Sequence, residues 1–377
     1  MIETPGIPLY ALAFVLVLGP LVFLHELGHY LAGRWFGVKA EEFSIGFGRE
    51  IAGFTDRRGT RWKFGWLPLG GYVRFAGDMN PASQPSPEWL ALPAHERSKT
   101  FQAKALWKRA IIVAAGPIAN FIVAILILSA FAVAYGQNST PSVVGNVQPG
   151  SAAAAAGLQP GDRVTSLGGR SVETFTDMAK YTQLRPNEAV HIEFERGGQA
   201  LAADTVIGVR EERDRFGNHY RIGVLGVVNS APVVAPVSIL EAPLIGIRQT
   251  IDIVQMTLDG LGQIITGRRS VSELGGPLKI AQVSGERLAM GPIEFAFLVA
   301  LISINLGFIN LLPVPVLDGG HLLFYAVEAV RRRPVEPKVM EWAFRGGLIA
   351  ILALMLLVTL NDLGAFGVWR NLAGLIG

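Results

Sequence analysis

The run IPLYALAFVLVLGPLVFL, from Ile7 to Leu24, contains no charged residue. About 20 apolar residues are what an α-helix needs to cross the hydrocarbon core of a bilayer. Lipid accepts only backbone that satisfies its own hydrogen bonds, so a segment of this kind is a helix if it enters the membrane. Similar runs recur at 111–136 (IIVAAGPIANFIVAILILSAFAVAYG), 293–312 (IEFAFLVALISINLGFINLL) and roughly 346–360 (GGLIAILALMLLVTL), the last preceded by Trp342 and Phe344. Of 377 residues, half are hydrophobic and only 17% charged, against about 25% in a soluble domain. The mean hydropathy is +0.39. The expected architecture is therefore a polytopic α-helical membrane protein with four transmembrane helices and a soluble part. The first run lacks the basic leader and short apolar core of a signal peptide. A net charge of +3 gives no reason to expect nucleic acid. The absence of cysteine excludes disulfides, thiolate ligands and a cysteine nucleophile.

Basic residues orient the spans. None precedes the first run, whereas the loop after it carries Lys39, Arg49, Arg57, Arg58, Arg61, Lys63, Arg74, Arg97, Lys99, Lys104, Lys108 and Arg109. The link between the third and fourth runs holds Arg331, Arg332, Arg333, Lys338 and Arg345, and the tail only Arg370. Both loops then face the cytoplasm, and both termini and the long middle region lie outside. The expected organisation is a first span over 1–36, a cytoplasmic loop over 37–109, a second span over 110–136, an external domain over 137–212, an external linker and amphipathic helix over 213–290, a third membrane segment over 291–330, and a fourth span with its tail over 331–377.

The first apolar run continues into HELGH, residues 25–29. On a helix, i and i+4 share a face, so His25 and His29 can reach one metal ion. Glu26 lies about 100° round the axis, close enough to act on a metal-bound water. If the helix continues to Phe36, His25 lies ~16 Å from its end, inside the bilayer. Ionisable groups at that depth are costly and mark function. The plainer alternative is a histidine pair hydrogen-bonding between helices; Glu26 in the pattern favours a metal. Zinc suits these ligands, lowers the pKa of a bound water to about 7, and in a catalytic site takes three protein ligands. His95, His191 and His219 lie in polar regions away from the spans. In NLGFINLLPVPVLDGGH, residues 305–321, Pro313 and Pro315 break the third span ahead of Asp318. Asp318 is the better third ligand, with a helix N-cap as its bland alternative. His321 is a rival that the sequence leaves open.

HELGH, the LDGG after a proline-broken span, and an inserted segment whose GLQPGDRV resembles a PDZ pattern are together similar to the site-2 protease family of intramembrane zinc metalloproteases. The likeness covers almost the whole chain and is strongest to the branch that acts on anti-sigma factors. The resemblance implies His25, His29 and Asp318 as ligands of one Zn2+ per chain, Glu26 as the catalytic carboxylate, and Asn310 near the substrate. It implies an inserted α+β PDZ domain, single here, that binds a peptide or C-terminus by strand addition. It implies regulated intramembrane proteolysis in a bacterial inner membrane. The substrates would be single-span proteins already trimmed outside, such as anti-sigma-factor-like proteins and remnant signal peptides. AAGPIANF (114–121) and GGPLKIA (275–281) also match the family, without an assigned role.

Residues 41–50 and 60–76 are rich in aromatic and β-branched residues, and the second stretch reads as an apolar hairpin turning at Gly70-Gly71. The resemblance implies a membrane-associated, reentrant β-loop. Gly70, Gly71 and Tyr72 are its candidate substrate-supporting residues, because a strand edge can hold an unwound peptide. Residues 77–100 read as a linker. The alanines at 152–156 read as a short helix. Leu240, Leu244, Ile247, Ile251, Val254, Leu258, Leu261 and Ile265 mark one face of a long helix. Two other readings fit the composition: a non-proteolytic PDZ membrane scaffold, and a divalent-metal transporter. The intact HELGH with LDGG disfavours the first, and the lack of internal repeats disfavours the second.

Overall fold

A computed structural model describes residues 6–77, 93–213, 219–229, 233–267 and 275–365. In chain order the elements are α1 (Ile7–Trp35), β1 (Ala40–Thr55), β2 (Arg61–Phe75), α2 (Ala94–Arg97), α3 (Leu106–Tyr135), β3 (Gln137–Asn138) and β4 (Val144–Val147). Then come α4 (Ala152–Ala155), β5 (Arg163–Leu167), β6 (Arg170–Ser171), α5 (Phe175–Gln183), β7 (Ala189–Arg196), β8 (Gln199–Val206) and β9 (Gly208–Arg213). The chain closes with β10 (His219–Val224), β11 (Val227–Asn229), β12 (Val234–Ala235), α6 (Ala242–Ile265), α7 (Pro277–Met290), α8 (Pro292–Leu311), α9 (Asp318–Arg331) and α10 (Pro337–Ala365).

Two compact units divide these elements. The first comprises residues up to Leu128, Gly246–Gln255 and Gly275–Asp362. It holds all or most of the four helices that, among the described residues, are long and apolar enough to cross a membrane: Ile7–Trp35, Leu106–Tyr135, Pro292–Leu311 and Lys338–Gly364. The fourth begins well before the apolar run that reveals it. Its first turns carry Lys338, Glu341 and Arg345, and these polar residues remove them from any hydropathy window. Much of the spans' apolar surface faces outward, as at Leu16, Ile122, Leu126 and Leu352, as expected of helices solvated by lipid. The buried face of α1 repeats every four residues through Ala13, Val17, Leu21, His25, His29 and Gly33. The two histidines therefore continue an inward apolar ridge. α1 packs on α7, a helix not anticipated from the sequence.

β1 and β2 form an antiparallel hairpin, but its turn is not at Gly70-Gly71. It lies between Thr55 and Arg61, which pair with each other. There the Asp56 carboxylate accepts hydrogen bonds from the amides of Arg58 (2.8 Å) and Thr60 (2.9 Å). Aspartate closes such turns by folding its side chain onto the backbone ahead, whereas Gly70 and Gly71 sit within β2. The hairpin also folds on itself: Phe43 pairs with both Val73 and Trp62. The linker expected over 77–100 lies largely outside the described residues, which resume before the short α2.

The second unit comprises the described residues of Ser129–Ile245 and Met256–Leu274. Its main sheet has the order β6-β5-β7-β8. Alternate residues of β7, Val190, Ile192 and Phe194, enter a core with Val164, Leu167, Met178 and Ile207. Such alternation is the pattern of a strand buried on one face. α4 is the short alanine helix. α5 opens on a capping box in which Thr174 and Asp177 bond reciprocally. β11 pairs with β4 and β12 with β3, so the unit extends past residue 212, where the sequence placed the end of the inserted domain. The molecule is thus a polytopic helical membrane protein with a membrane-unit β-hairpin and an inserted α+β domain.

Candidate metal centre

Three side chains from two distant parts of the sequence meet in the first unit. His25 Nε2 and His29 Nε2 are 3.3 Å apart. Asp318 Oδ2 lies 3.2 Å from the first and 3.4 Å from the second. Ligands held about 2.0–2.1 Å from a tetrahedral zinc stand about 3.3–3.4 Å from one another. The triangle has that edge. Among the described residues this is the group of His, Asp and Glu donors compact enough to hold a metal ion. Asp318 Oδ2 is also buried without a hydrogen-bond donor, a costly arrangement of about 1–3 kcal/mol for an unpaired polar atom, and more for a charged one. A cation at the triangle's centre would remove that cost. The donor set fits zinc.

The fold aims each of the three donor side chains. His29 Nδ1 donates to the carbonyl of Ile112 on α3 at 2.9 Å. That carbonyl can only accept, so the proton is on Nδ1 and the Nε2 lone pair faces the triangle. His25 Nδ1 lies 3.1 Å from the side-chain nitrogen of Asn120 on the same helix. α3 can approach closely because of two glycines. A Cβ on Gly28 would fall 2.4 Å from the Ala115 carbonyl oxygen, and one on Gly116 would fall 2.2 Å from His29 Nε2. Asp318 is delivered by the break between α8 and α9. α8 stops at Leu311, and Val316 takes φ 91°, a strained conformation for a β-branched residue. α9 then begins with Leu317 as its N-cap. The bland alternative for Asp318, a capping role, is therefore not what it does. Gly319 and Gly320 are needed for the break to fold onto the start of α9: a Cβ would lie 2.2 Å from the Leu312 oxygen at the first and 2.4 Å from the Val314 oxygen at the second.

The triangle opens on a cavity of about 630 Å³ lined also by Glu26, Gly71, Tyr72, Asn310, Val316 and His321. Glu26 is buried beside β2, where a Cβ on Gly71 would sit 3.0 Å from Glu26 Cγ. The Tyr72 hydroxyl donates to Glu42 at 2.9 Å, and its ring stacks on Phe47. Gly70 is not one of the cavity's lining residues. Its φ of 111° and its closeness to the Phe47 ring give it a backbone reason to be glycine. Asn310 reaches the cavity wall while donating to the Leu306 carbonyl at 2.9 Å. His321 lines the same cavity but stacks toward Phe344 and stays outside the three-donor group. Phe344, Arg345 and Leu348 bring α10 to the wall as well. That contribution had no sequence signal, since it depends on how the last span packs.

The model of peptidase family M50 matches residues 13–354. A protein of Agrobacterium fabrum named "Putative zinc metalloprotease" is 45% identical over 94% of this chain and 96% of its own length. A metalloprotease of Caulobacter vibrioides is 36% identical over 98% of this chain and 99% of its own length. A PDZ domain from Listeria monocytogenes overlays 25% of this chain and 90% of its own, at 20% identity and a TM-score of 0.19, too distant to argue from. The match and these relatives make the chain a membrane metalloprotease. The chain belongs to peptidase family M50, the site-2 protease family, and is a zinc metalloprotease of that family.

Proposed function

We propose that the chain hydrolyses peptide bonds within or near the membrane segments of single-span proteins, with His25, His29 and Asp318 as the ligands of one zinc ion per chain. The observation that carries this reading is the triangle of three donor atoms, 3.2 to 3.4 Å on a side, in one cavity with the Glu26 carboxylate. Zinc held there supplies Lewis-acid polarisation of a carbonyl and an acidified water. Glu26 takes the proton of the attacking water and returns it to the leaving amine. Asn310 faces the same space and holds the substrate or its developing oxyanion. β2 presents Gly71 and Tyr72 along the cavity, where an unwound substrate adds as a further strand. The hairpin's exposed Phe54, Phe64 and Trp66 suit immersion in the bilayer.

The cellular reading follows from charge and likeness. The two basic loops support an orientation with both termini and the inserted domain outside a bacterial inner membrane. The inserted domain has a groove of about 200 Å³ between α5 and β10, lined by Met178, Thr182, Arg210 and Val224, a fit for an extended peptide or C-terminus at a PDZ-like site. Substrates are single-span proteins first trimmed outside, in regulated intramembrane proteolysis: anti-sigma-factor-like proteins and remnant signal peptides.

The test is cleavage of a trimmed single-span substrate in detergent, comparing the wild type with Glu26→Gln, with zinc content measured on both. The variant is expected to keep its zinc and lose at least 100-fold in rate, the lower bound for a general acid-base group. Equal cleavage by both would remove Glu26 from the mechanism. Inert but zinc-loaded wild type, with a substrate known to be cut by a relative, would favour a scaffold or a metal carrier instead.

A further inference from the structure

Asn120 is fully buried in the middle of α3, and its backbone oxygen is held by the Ser303 hydroxyl at 2.8 Å. Its side-chain nitrogen lies 3.1 Å from His25 Nδ1, while its side-chain oxygen has no hydrogen-bond donor. The two ends of a carboxamide are distinguished only by their partners. If the nitrogen faces His25, it donates to Nδ1. The imidazole proton must then sit on Nε2, pointing at Asp318 Oδ2 and His29 Nε2, and the ring cannot ligate a metal. If the amide is turned over, Oδ1 accepts from Nδ1–H and the Nε2 lone pair faces the triangle. The turn also takes the oxygen out of a place that offers it no donor.

His29 shows which arrangement the site uses. Its Nδ1 faces the Ile112 carbonyl, an acceptor and nothing else, so its Nε2 is free to ligate. α3 thus provides the outer partner of both histidines, a backbone oxygen for one and a side chain for the other. We propose that Asn120 is the positioning residue of His25: its side-chain oxygen accepts the Nδ1 proton, fixes the ring and keeps Nε2 unprotonated toward the metal. Partners of this kind raise ligand basicity as well as setting orientation. The proposal rests on the zinc reading of His25, His29 and Asp318.

The experiment is zinc affinity of the full-length protein in detergent, measured by competition with a chromophoric chelator, for Asn120→Asp, Asn120→Leu and His29→Ala. Aspartate keeps the shape and only accepts, so Asn120→Asp should bind zinc as tightly as the wild type or more tightly. Leucine keeps the bulk without an acceptor, so Asn120→Leu should lose about 10–100-fold, the usual effect of removing an outer partner. Rescue by aspartate is the readout that a merely structural role would not give. If Asn120→Asp binds as weakly as Asn120→Leu, or if Asn120→Leu is unchanged, the proposal is overturned. Should Asn120→Leu fail to fold, the aspartate variant still decides, because zinc affinity below that of the wild type in Asn120→Asp would overturn the proposal. Unchanged affinity in His29→Ala would instead reject the metal site itself, a different failure from that of Asn120.

Discussion

Gly116 and His29 share a space that admits no further atom. Any side chain at 116 places a carbon 2.2 Å from His29 Nε2, the atom proposed to meet the metal. Gly116→Ala is therefore expected to abolish zinc binding while leaving the inserted domain folded, since that core is built from other residues. Zinc quantification on the purified variant, with proteolysis of the inserted domain as a folding control, checks it. Retained zinc would mean that α3 can retreat from α1 at no cost to the site. The same reasoning separates Glu26 from its neighbours. It lines the cavity without belonging to the donor triangle, and so its loss should cost rate and not metal.

At the scale of elements, the break between α8 and α9 decides where Asp318 points. Two prolines end the span, and Val316 stores strain in the turn. Gly319 lets the carbonyls of Leu311 and Leu312 lie against the first turn of α9. Gly319→Ala should move the start of α9 and weaken zinc by more than Asn120→Leu does, because it displaces a ligand and not a ligand's partner. Chelator titration of the two variants side by side gives the order. The hairpin turn makes a second case. Asp56 accepts from two backbone amides, so Asp56→Ala should cost about 1–3 kcal/mol of local stability. Faster hydrogen exchange of the 55–61 amides would show it. Unchanged exchange would mean that the strand pairing alone holds the turn.

At the scale of the molecule, the inserted domain carries its own acid sensitivity. Asp162 is buried and receives two bonds from the Arg196 guanidinium, each 2.7 Å. Those bonds hold its carboxyl below the usual carboxylate range, against the opposing effect of burial. A carboxyl depressed in the folded state stabilises the fold above its unfolded value, about 3.9, and that contribution disappears as pH falls through the folded value. The domain's melting temperature should therefore hold constant above about pH 5 and fall below about pH 4. In Asp162→Asn the melting temperature should be lower at neutral pH and less sensitive to acid. A parallel acid response in both proteins would assign the effect to other carboxylates.

Much of this was legible from residues near one another in the chain. An uncharged run must become a helix in lipid, and a helix puts residues four apart on one face. Those two facts place four spans, put His25 and His29 together, and set Glu26 beside them. The sequence also narrowed the third ligand to Asp318 or His321, because a broken span leaves polar groups at membrane depth. Asn120 was visible as a polar residue inside an apolar span, but its role was not. What only the tertiary structure decided are the meetings between segments far apart. Asp318 reaches the histidines while His321 turns to Phe344; Ile112 and Asn120 address the two rings; α10 closes the cavity wall; and the hairpin turns at Asp56 and not at Gly70. Periodicity is a property of one helix or strand. Which faces come into contact depends on packing, on where a glycine lets two backbones approach, and on where a break redirects the chain.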